Sequence, residues 1–93
     1  MLVMIKSAPD TTDGAIGLSL AREGGADLVL LQNGVHFAQK DRLGTLPGTV
    51  YVLDDDKRLR GLKDSELDAR VKTINYDKLT DLITGGEQVV GMF

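Results

Sequence analysis

The sequence contains no cysteine and only one histidine, His36. Without cysteine, this chain alone can form no disulfide framework and no thiolate metal site. It also cannot carry out redox or sulfur-transfer chemistry that depends on a cysteine. A single histidine without further nitrogen or sulfur ligands does not make a convincing metal site. We therefore expect neither a metal nor a cofactor.

Long apolar runs are also absent, and every run is far shorter than the roughly 18 residues that a membrane span needs. The apolar stretch Met1–Ile5 is followed at once by Lys6 and lacks a small-residue cleavage site, so we do not interpret it as a signal peptide. The net charge of −3 gives no general electrostatic reason to expect nucleic acid as a partner. We expect one cytoplasmic domain over residues 1–93.

The stretch Asp27–Val35 is the strongest structural signal in the chain. It contains four consecutive apolar residues, which is typical of a central parallel strand buried on both faces. The run ends in Gln32–Asn33–Gly34, where the chain must turn. Asn-Gly is also a hairpin signal. However, Val35–Lys40 has no clear alternation of apolar residues, and a short helix is favoured there instead.

Strands and short helices alternate along the rest of the chain. Further strands are predicted at Met1–Ile5, Val50–Leu53 and Val71–Ile74, and the tail Gln88–Phe93 is predicted to add an edge strand or to pack into a partner. A first helix is predicted after Thr11–Asp13 and ends at Gly24–Gly25, and its apolar face consists of Ala15, Ile16, Leu18, Leu20 and Ala21. A second, short helix is predicted over Lys57–Arg60, capped by Asp54–Asp56. A last helix is predicted from Asn75, with Tyr76, Leu79, Leu82 and Ile83 on one face. This order predicts an α/β fold, a single-domain three-layer α/β/α arrangement with a mostly parallel sheet of four to five strands.

The candidate site lies where the strands end. Ligands and partners of open α/β sheets bind beyond the carboxyl ends of the strands. Gln32, Asn33 and Gly34 follow the central strand, and Ser7 follows the first strand at the same edge. His36 comes two residues after the turn, either as a functional group or as an ordinary hydrogen-bonding side chain. We predict a partner or ligand edge there with no catalytic residue, since no G-x-S-x-G elbow surrounds any serine.

Two charged clusters have alternative interpretations. Asp54–Asp56 lacks the spacing, glycine and terminal glutamate of a calcium loop, and helix capping together with favourable charge near a helix N-terminus explains it better. The basic residues Lys57, Arg58, Arg60 and Lys63 form either a solvated helix face or a patch that meets an acidic partner or an RNA phosphate. Arg58 and Arg60 are its candidate contact residues.

Several stretches together resemble the DsrH/TusB family, within the wider DsrE/DsrF/DsrH group of small sulfur-relay proteins. Leu30–Val35 is similar to the family's apolar strand that ends in Gln/Glu–Asp/Asn–Gly–Val/Ile. Val50–Asp55 followed by Leu59–Leu62 resembles its strand, acidic turn and Arg-Gly helix end. Ile74–Tyr76, leading into the last helix, and the opening Lys6–Pro9 also look like the family's pattern. The resemblance spans nearly the whole chain.

The resemblance implies a DsrEFH-like three-layer fold and a subunit of a relay that passes persulfide sulfur towards 2-thiouridine at the tRNA wobble position. In sulfur oxidisers, the corresponding complex serves dissimilatory sulfur metabolism instead. The implied partners are homologous DsrE/TusD-like and DsrF/TusC-like subunits, in dimers or α2β2γ2 hexamers, or further copies of the chain itself. Neither a membrane nor direct tRNA contact is expected.

One departure from the family pattern concerns the first helix. Some DsrH members carry a cysteine there, whereas this chain has Ala15–Ile16–Gly17–Leu18 in that region. No catalytic residue is therefore carried over. The expected role is a non-catalytic subunit, and the alternative is a stand-alone, homo-oligomeric binding module of the same fold without sulfur-transfer activity.

Overall fold

Five short strands form one parallel sheet in the computed structural model, which describes residues 1–92. The strands are β1 Leu2–Ile5, β2 Asp27–Leu30, β3 Val50–Leu53, β4 Val71–Ile74 and β5 Val89–Met92. Their order across the sheet is β4-β3-β2-β1-β5, and every neighbouring pair is parallel. The predicted parallel sheet is confirmed, and the tail forms its edge strand. Phe93, the last residue of the predicted tail, lies outside the described residues.

Three α-helices and two short 3-10 helices connect the strands. They are α1 Thr12–Gly24, α2 Asp54–Leu59 and α3 Tyr76–Thr84, with 3-10 helices at Gln32–Ala38 and Asp64–Glu66. The predicted helix caps at both ends of α1 and at the start of α3 are confirmed, because Thr11 and Asn75 accept backbone N–H groups and Gly25 adopts a φ of +64°. Within residues 1–92, no helix combines the length and apolarity needed to cross a membrane.

The start of α2 differs from the prediction. The helix begins at Asp54, and Leu53 occupies the N-cap position without any side-chain cap hydrogen bond. The prediction that Asp54–Asp56 cap the helix was therefore wrong. The three aspartates form its first turn, which confirms the prediction of favourable negative charge beside the positive end of the helix dipole. From this turn, Asp54 and Asp55 pair with basic residues of the same helix, whereas Asp56 makes a contact outside it.

Successive residues of each strand point to opposite faces of the sheet, and this alternation creates two cores. One core, called here the larger core, contains Val3, Ile5, Leu30 and Val52 and is covered by α1 and the first 3-10 helix. The other, called the smaller core, is covered by α3, and its buried residues are Leu2, Met4, Val29, Leu31, Leu53, Ile74 and Leu79. Helical segments on both faces of the sheet confirm the three-layer arrangement.

Helix α1 packs closely on the sheet through small residues. A Cβ atom at Gly17 would lie 2.8 Å from Ile5 Cγ1 and 3.1 Å from Met92 Cγ, so only glycine allows this approach. The predicted apolar face of α1 was wrong in part, since Ala21 is buried but Ile16 and Leu20 remain 44% and 37% exposed. Because Gly14 and Gly17 occupy the inner face, Ile16 and Leu20 lie outside it, whereas Leu18 packs against the larger core.

Candidate functional site

The chain turns sharply at the carboxyl end of β2. Leu31 is still extended, but Gln32 has a φ of +47°, in the left-handed region that a non-glycine residue adopts at a cost of roughly 1–2 kcal/mol. Gly34 then packs against the end of β1, where a Cβ atom would lie 2.1 Å from the carbonyl oxygen of Ile5. The side chains of Gln32 and Asn33 are consequently left exposed at the edge of the sheet, while Gly34 is buried beneath them.

Asp56 holds the backbone of this turn. Its Oδ2 accepts a hydrogen bond from the backbone N–H of Gln32 at 2.7 Å, although the two residues are 24 positions apart. Asp56 itself is only 9% exposed. A backbone N–H bound to an ionised carboxylate makes one of the stronger kinds of hydrogen bond. This contact explains how the left-handed conformation of Gln32 is maintained.

Arg60 ties the same turn to the end of α2. Its Nε donates to Asn33 Oδ1 at 3.1 Å, and its Nη1 donates to the backbone oxygen of Asp56 at 3.4 Å. The Nη1 atom also lies 3.8 Å from Asp56 Oδ1, which is an ion pair without a direct hydrogen bond. The structure therefore joins four residues, Gln32, Asn33, Asp56 and Arg60, into one connected polar edge.

The other basic residues of α2 face different carboxylates. Arg58 lies on the exposed side of the helix and pairs with Asp54 at 3.0 Å and with Asp55 at 3.2 Å. Lys57 is buried and donates to Asp64 Oδ1 at 2.5 Å, and this hydrogen bond raises the pKa of the Lys57 ammonium above its usual value. Arg58 and Arg60 thus meet different carboxylates instead of facing solvent together as one cationic patch.

Ser7 and His36 lie near this edge without joining its hydrogen-bond network. Ser7 follows β1 and is half-buried, and the parallel pairing of β1 with β2 places it at the same end of the sheet as Gln32. His36 is half-buried within the first 3-10 helix. Across residues 1–92, no group of three or more histidine, aspartate or glutamate side chains is arranged to hold a metal ion.

A cleft of about 230 Å³ opens beside the polar edge, on the α3 side of the sheet. We call it the strand-end cleft. Its apolar lining residues are Met4, Leu31, Leu53 and Leu79, and its polar or amphipathic ones are Lys6, Gln32, Asp56 and Tyr76. These residues come from β1, the turn after β2, β3, α2 and the beginning of α3. This is the location where open α/β sheets place their ligands.

The sequence interpretation missed two contributors to this region. Asp56 was assigned only to the start of the helix, as a cap and a favourable charge, and the run of three aspartates gave no signal that one of them contacts the turn after β2. Tyr76 was placed on the packed face of the last helix, yet it is 55% exposed at the cleft. The sequence signal that could have identified Tyr76 is its position directly after the N-cap residue Asn75, at the carboxyl end of a strand.

Comparisons with known proteins agree with this architecture. The family profile described as "DsrH like protein" matches residues 6–89. The solution NMR structure of the protein Tm0979 from Thermotoga maritima is similar, with a TM-score of 0.68 and 27% sequence identity over 95% of this chain and 97% of that one. No match was found among curated protein sequences.

The match to the family profile covers almost the whole chain, including the polar edge and most of the residues of the strand-end cleft. The structural similarity extends over the same region, and both chains have nearly the same length in the alignment. This chain therefore belongs to the DsrH-like family of sulfur-relay-type proteins.

Proposed function

We propose that this protein is a non-catalytic subunit of a cytoplasmic sulfur-relay complex, and that the complex serves 2-thiolation of the tRNA wobble uridine. Membership in the DsrH-like family supports the relay, and the absence of cysteine supports the non-catalytic role. A persulfide has to be carried on a cysteine thiolate, which this chain cannot supply. The sulfur-carrying cysteine then belongs to a homologous DsrE/TusD-like partner, and a DsrF/TusC-like subunit completes the complex.

The observation that carries the proposal is the polar edge at the end of β2. Gln32 and Asn33 are exposed, yet Asp56 and Arg60 hold their backbone and side chain in one conformation. Binding to a rigid surface costs less conformational entropy than binding to a mobile loop. The edge is therefore suited to contact a partner subunit, and we assign it that role with Ser7 and His36 at its margin.

A second, apolar surface also supports assembly. Ile16 and Leu20 are exposed one helical turn apart on α1, and Val89 on the neighbouring edge strand β5 is 37% exposed. The segment Val89–Met92 carries no charged side chain, unlike the opposite edge strand β4, which presents Lys72. Exposed apolar residues beside an unprotected strand edge are typical of surfaces covered by another protein chain.

Coexpression tests the proposal directly. The chain is produced together with the DsrE-like and DsrF-like proteins of its own organism, purified through a tag on one partner, and its native mass is measured. We expect all three proteins in one complex of fixed stoichiometry. If the chain instead elutes as a separate species while its two proposed partners associate with each other, the relay-subunit role is refuted.

Paired variants locate the interface. Ile16→Asp introduces a charge on the apolar surface of α1, and we expect it to reduce recovery of the complex by at least about tenfold, because an interface charge without a partner is costly to bury. Ile83→Asp is the matched control, since Ile83 is similarly exposed at 39% but lies on α3. Equal recovery of both variants would remove α1 from the interface.

The pathway needs its own measurement. In a strain lacking this gene, we expect tRNA to lose most of its 2-thiouridine, measured by mass spectrometry of nucleosides, and to regain it when the gene is restored. Unchanged 2-thiouridine together with impaired growth on reduced sulfur compounds would assign the complex to sulfur oxidation.

The alternative function is a stand-alone, homo-oligomeric binding module. The strand-end cleft favours it, because a module that binds a small ligand would use a cleft of this kind. The native-mass experiment separates the two functions. Self-association that persists unchanged when both homologous partners are present would support the module.

A further inference from the structure

We propose that the strand-end cleft binds a small planar lactam, a heterocycle of one or two rings in which a ring N–H lies beside a carbonyl group. This inference goes beyond the relay role and does not depend on it. It rests on the size of the cleft, its apolar floor, the tyrosine at its mouth and the arrangement of donors and acceptors around it.

The floor of the cleft is apolar and well packed. Met4, Leu31, Leu53 and Leu79 line it, and each is at most 9% exposed. Its volume of about 230 Å³ exceeds the roughly 150 Å³ of an engineered apolar cavity that binds benzene. One aromatic-sized ring with polar substituents, or two fused rings, would therefore fit. The floor gives such a ring a broad dispersion contact but no specificity.

Tyr76 supplies a flat aromatic surface in addition to the apolar floor. It is the first residue of α3, lines the cleft and is 55% exposed, which leaves much of its ring accessible at the mouth. Aromatic rings favour offset-stacked or edge-to-face contacts with another ring, and such contacts contribute roughly 0.5–1.5 kcal/mol beyond the buried area. A planar ligand between Tyr76 and the leucine floor would make both contacts at once, which a branched aliphatic ligand would not.

The polar groups of the cleft are an acceptor and two donors. Asp56 Oδ2 is used by the backbone of Gln32, but Oδ1 lies 3.8 Å from Arg60 Nη1, too far for a hydrogen bond, and so keeps acceptor capacity. An ionised carboxylate only accepts, so a ligand atom that meets it has to be a donor. The Lys6 ammonium and the Gln32 side-chain amide line the same cleft and carry N–H donors for a carbonyl oxygen.

A lactam carries the complementary pair side by side. Its N–H would donate to Asp56, and its carbonyl oxygen would accept from Lys6 or Gln32. A carboxylate ligand has no donor to offer Asp56 even where its oxygens meet Lys6, and a hydrocarbon would leave Asp56 desolvated without a new hydrogen bond. The combination of a donor and an acceptor on one flat ring therefore distinguishes the proposed ligand class from both of these.

The test is an NMR titration of the full chain, labelled with nitrogen-15, with 2-pyridone and separately with N-methyl-2-pyridone. The two probes have the same ring and carbonyl, but the methylated one lacks the N–H donor. We expect saturable shifts for 2-pyridone at Lys6, Gln32 and Tyr76, and binding at least fivefold weaker for the methylated probe. No saturable shift at these residues, or equal affinity for both probes, would overturn the proposal.

Variants then assign the contacts. Tyr76→Ala should weaken binding of 2-pyridone by about 2- to 10-fold through loss of the ring contact, whereas Ile83→Ala, on the same helix away from the cleft lining, should not change it. Asp56→Asn keeps an oxygen for the Gln32 N–H and should abolish the preference for 2-pyridone over its methylated form. Retention of that preference would contradict the role of Asp56. Co-purification with relay partners uses neither probe, so the failure of one proposal leaves the other intact.

Discussion

The two faces of the sheet differ in how completely they are covered. On the larger core, Val3, Ile5, Leu30 and Val52 have no exposed surface beneath α1 and the first 3-10 helix. On the smaller core, α3 is the main cover, and the strand-end cleft opens between this helix and the strand ends. The comparison shows that one face of the sheet is packed completely, while the other keeps an open cleft at the strand ends.

The largest expected effect is a truncation in the larger core. Leu30→Ala should lower the free energy of unfolding by about 2–5 kcal/mol, because the site is fully enclosed and the resulting cavity cannot collapse easily. Leu79→Ala, at the border of the cleft, should cost less, since its surroundings are already open. Urea denaturation of both variants measures the difference. Equal losses of unfolding free energy in the two variants would mean that the two faces contribute equally to stability.

The next effect concerns the contact between the β2 turn and β1. Gly34→Ala should cost about 1–3 kcal/mol, because the new methyl group would meet the Ile5 carbonyl oxygen, a backbone atom that cannot turn aside. In Gly24→Ala, the new methyl group meets only the flexible end of Met1, and the gain in helix propensity should offset this contact. The unfolding temperatures of the two variants measure this difference. A neutral Gly34→Ala variant would show that the turn moves freely.

A smaller effect is expected where the cleft meets the polar edge. Asp56→Ala should cost about 1 kcal/mol, because the Gln32 N–H loses its acceptor but lies close enough to the surface to bind water. The amide NMR signal of Gln32 should shift strongly, while signals of β1 and the larger core stay in place. Asp56→Asn should restore most of the stability. If Asp56→Ala also perturbed the larger core, the two faces would not be independent.

The smallest effect is a pH dependence at the rim of the larger core. Hydrogen bonds from Arg70 lower the pKa of Asp68 from an ordinary 3.8 to about 2. Because the folded pKa is depressed, this pair stabilises the fold above the ordinary value and its contribution is lost as pH falls towards about 2. The magnitude should be at most about 1 kcal/mol, since Arg70 is 45% exposed.

Asp68→Asn tests this dependence when its unfolding free energy is compared with that of the unmodified chain at neutral pH and near pH 2. The difference should be present in full at neutral pH and largely lost near pH 2. Arg70→Gln removes the other partner and should give the same loss, with no further loss in the double variant. A difference that persisted unchanged in acid would show that the pair does not act through its charge.

Local patterns were sufficient to predict the elements but not how they are arranged. Apolar runs identify β1, β2 and β3, because a strand buried on both faces needs an uninterrupted run of such residues. In contrast, β4 contains the polar residues Lys72 and Thr73, and the tail was predicted only as an edge strand or a partner contact. The order of the strands could not be predicted, since nothing near Val89–Met92 indicates that this strand pairs with β1 and not with β4, its neighbour in the sequence. The face that α1 buries was also missed in part, because glycine carries no hydropathy signal although Gly17 lets the helix approach Ile5 of the sheet.

The position of the candidate site was predictable from the sequence, but the full set of residues that form it was not. Gln32–Gly34 follows from the abrupt end of a buried strand, and the structure places it at the carboxyl edge of the sheet. The contact of Gln32 with Asp56 was not predictable, because it requires β3 to lie beside β2 before the two residues can meet. The roles of Ser7, Gln32, Asn33, Gly34 and His36 at a partner or ligand edge remain predictions.

The pairing of the first strand with the last one has a consequence for the order of events during synthesis. Leu2 pairs with Val89, so β1 lacks its outer neighbour until nearly the whole chain has left the ribosome. Until then, β1 is itself an edge strand, entirely apolar and without a charge to discourage pairing with other chains. Contacts between such distant residues form slowly. A nascent chain stalled or cleaved before β5 therefore exposes its most aggregation-prone edge.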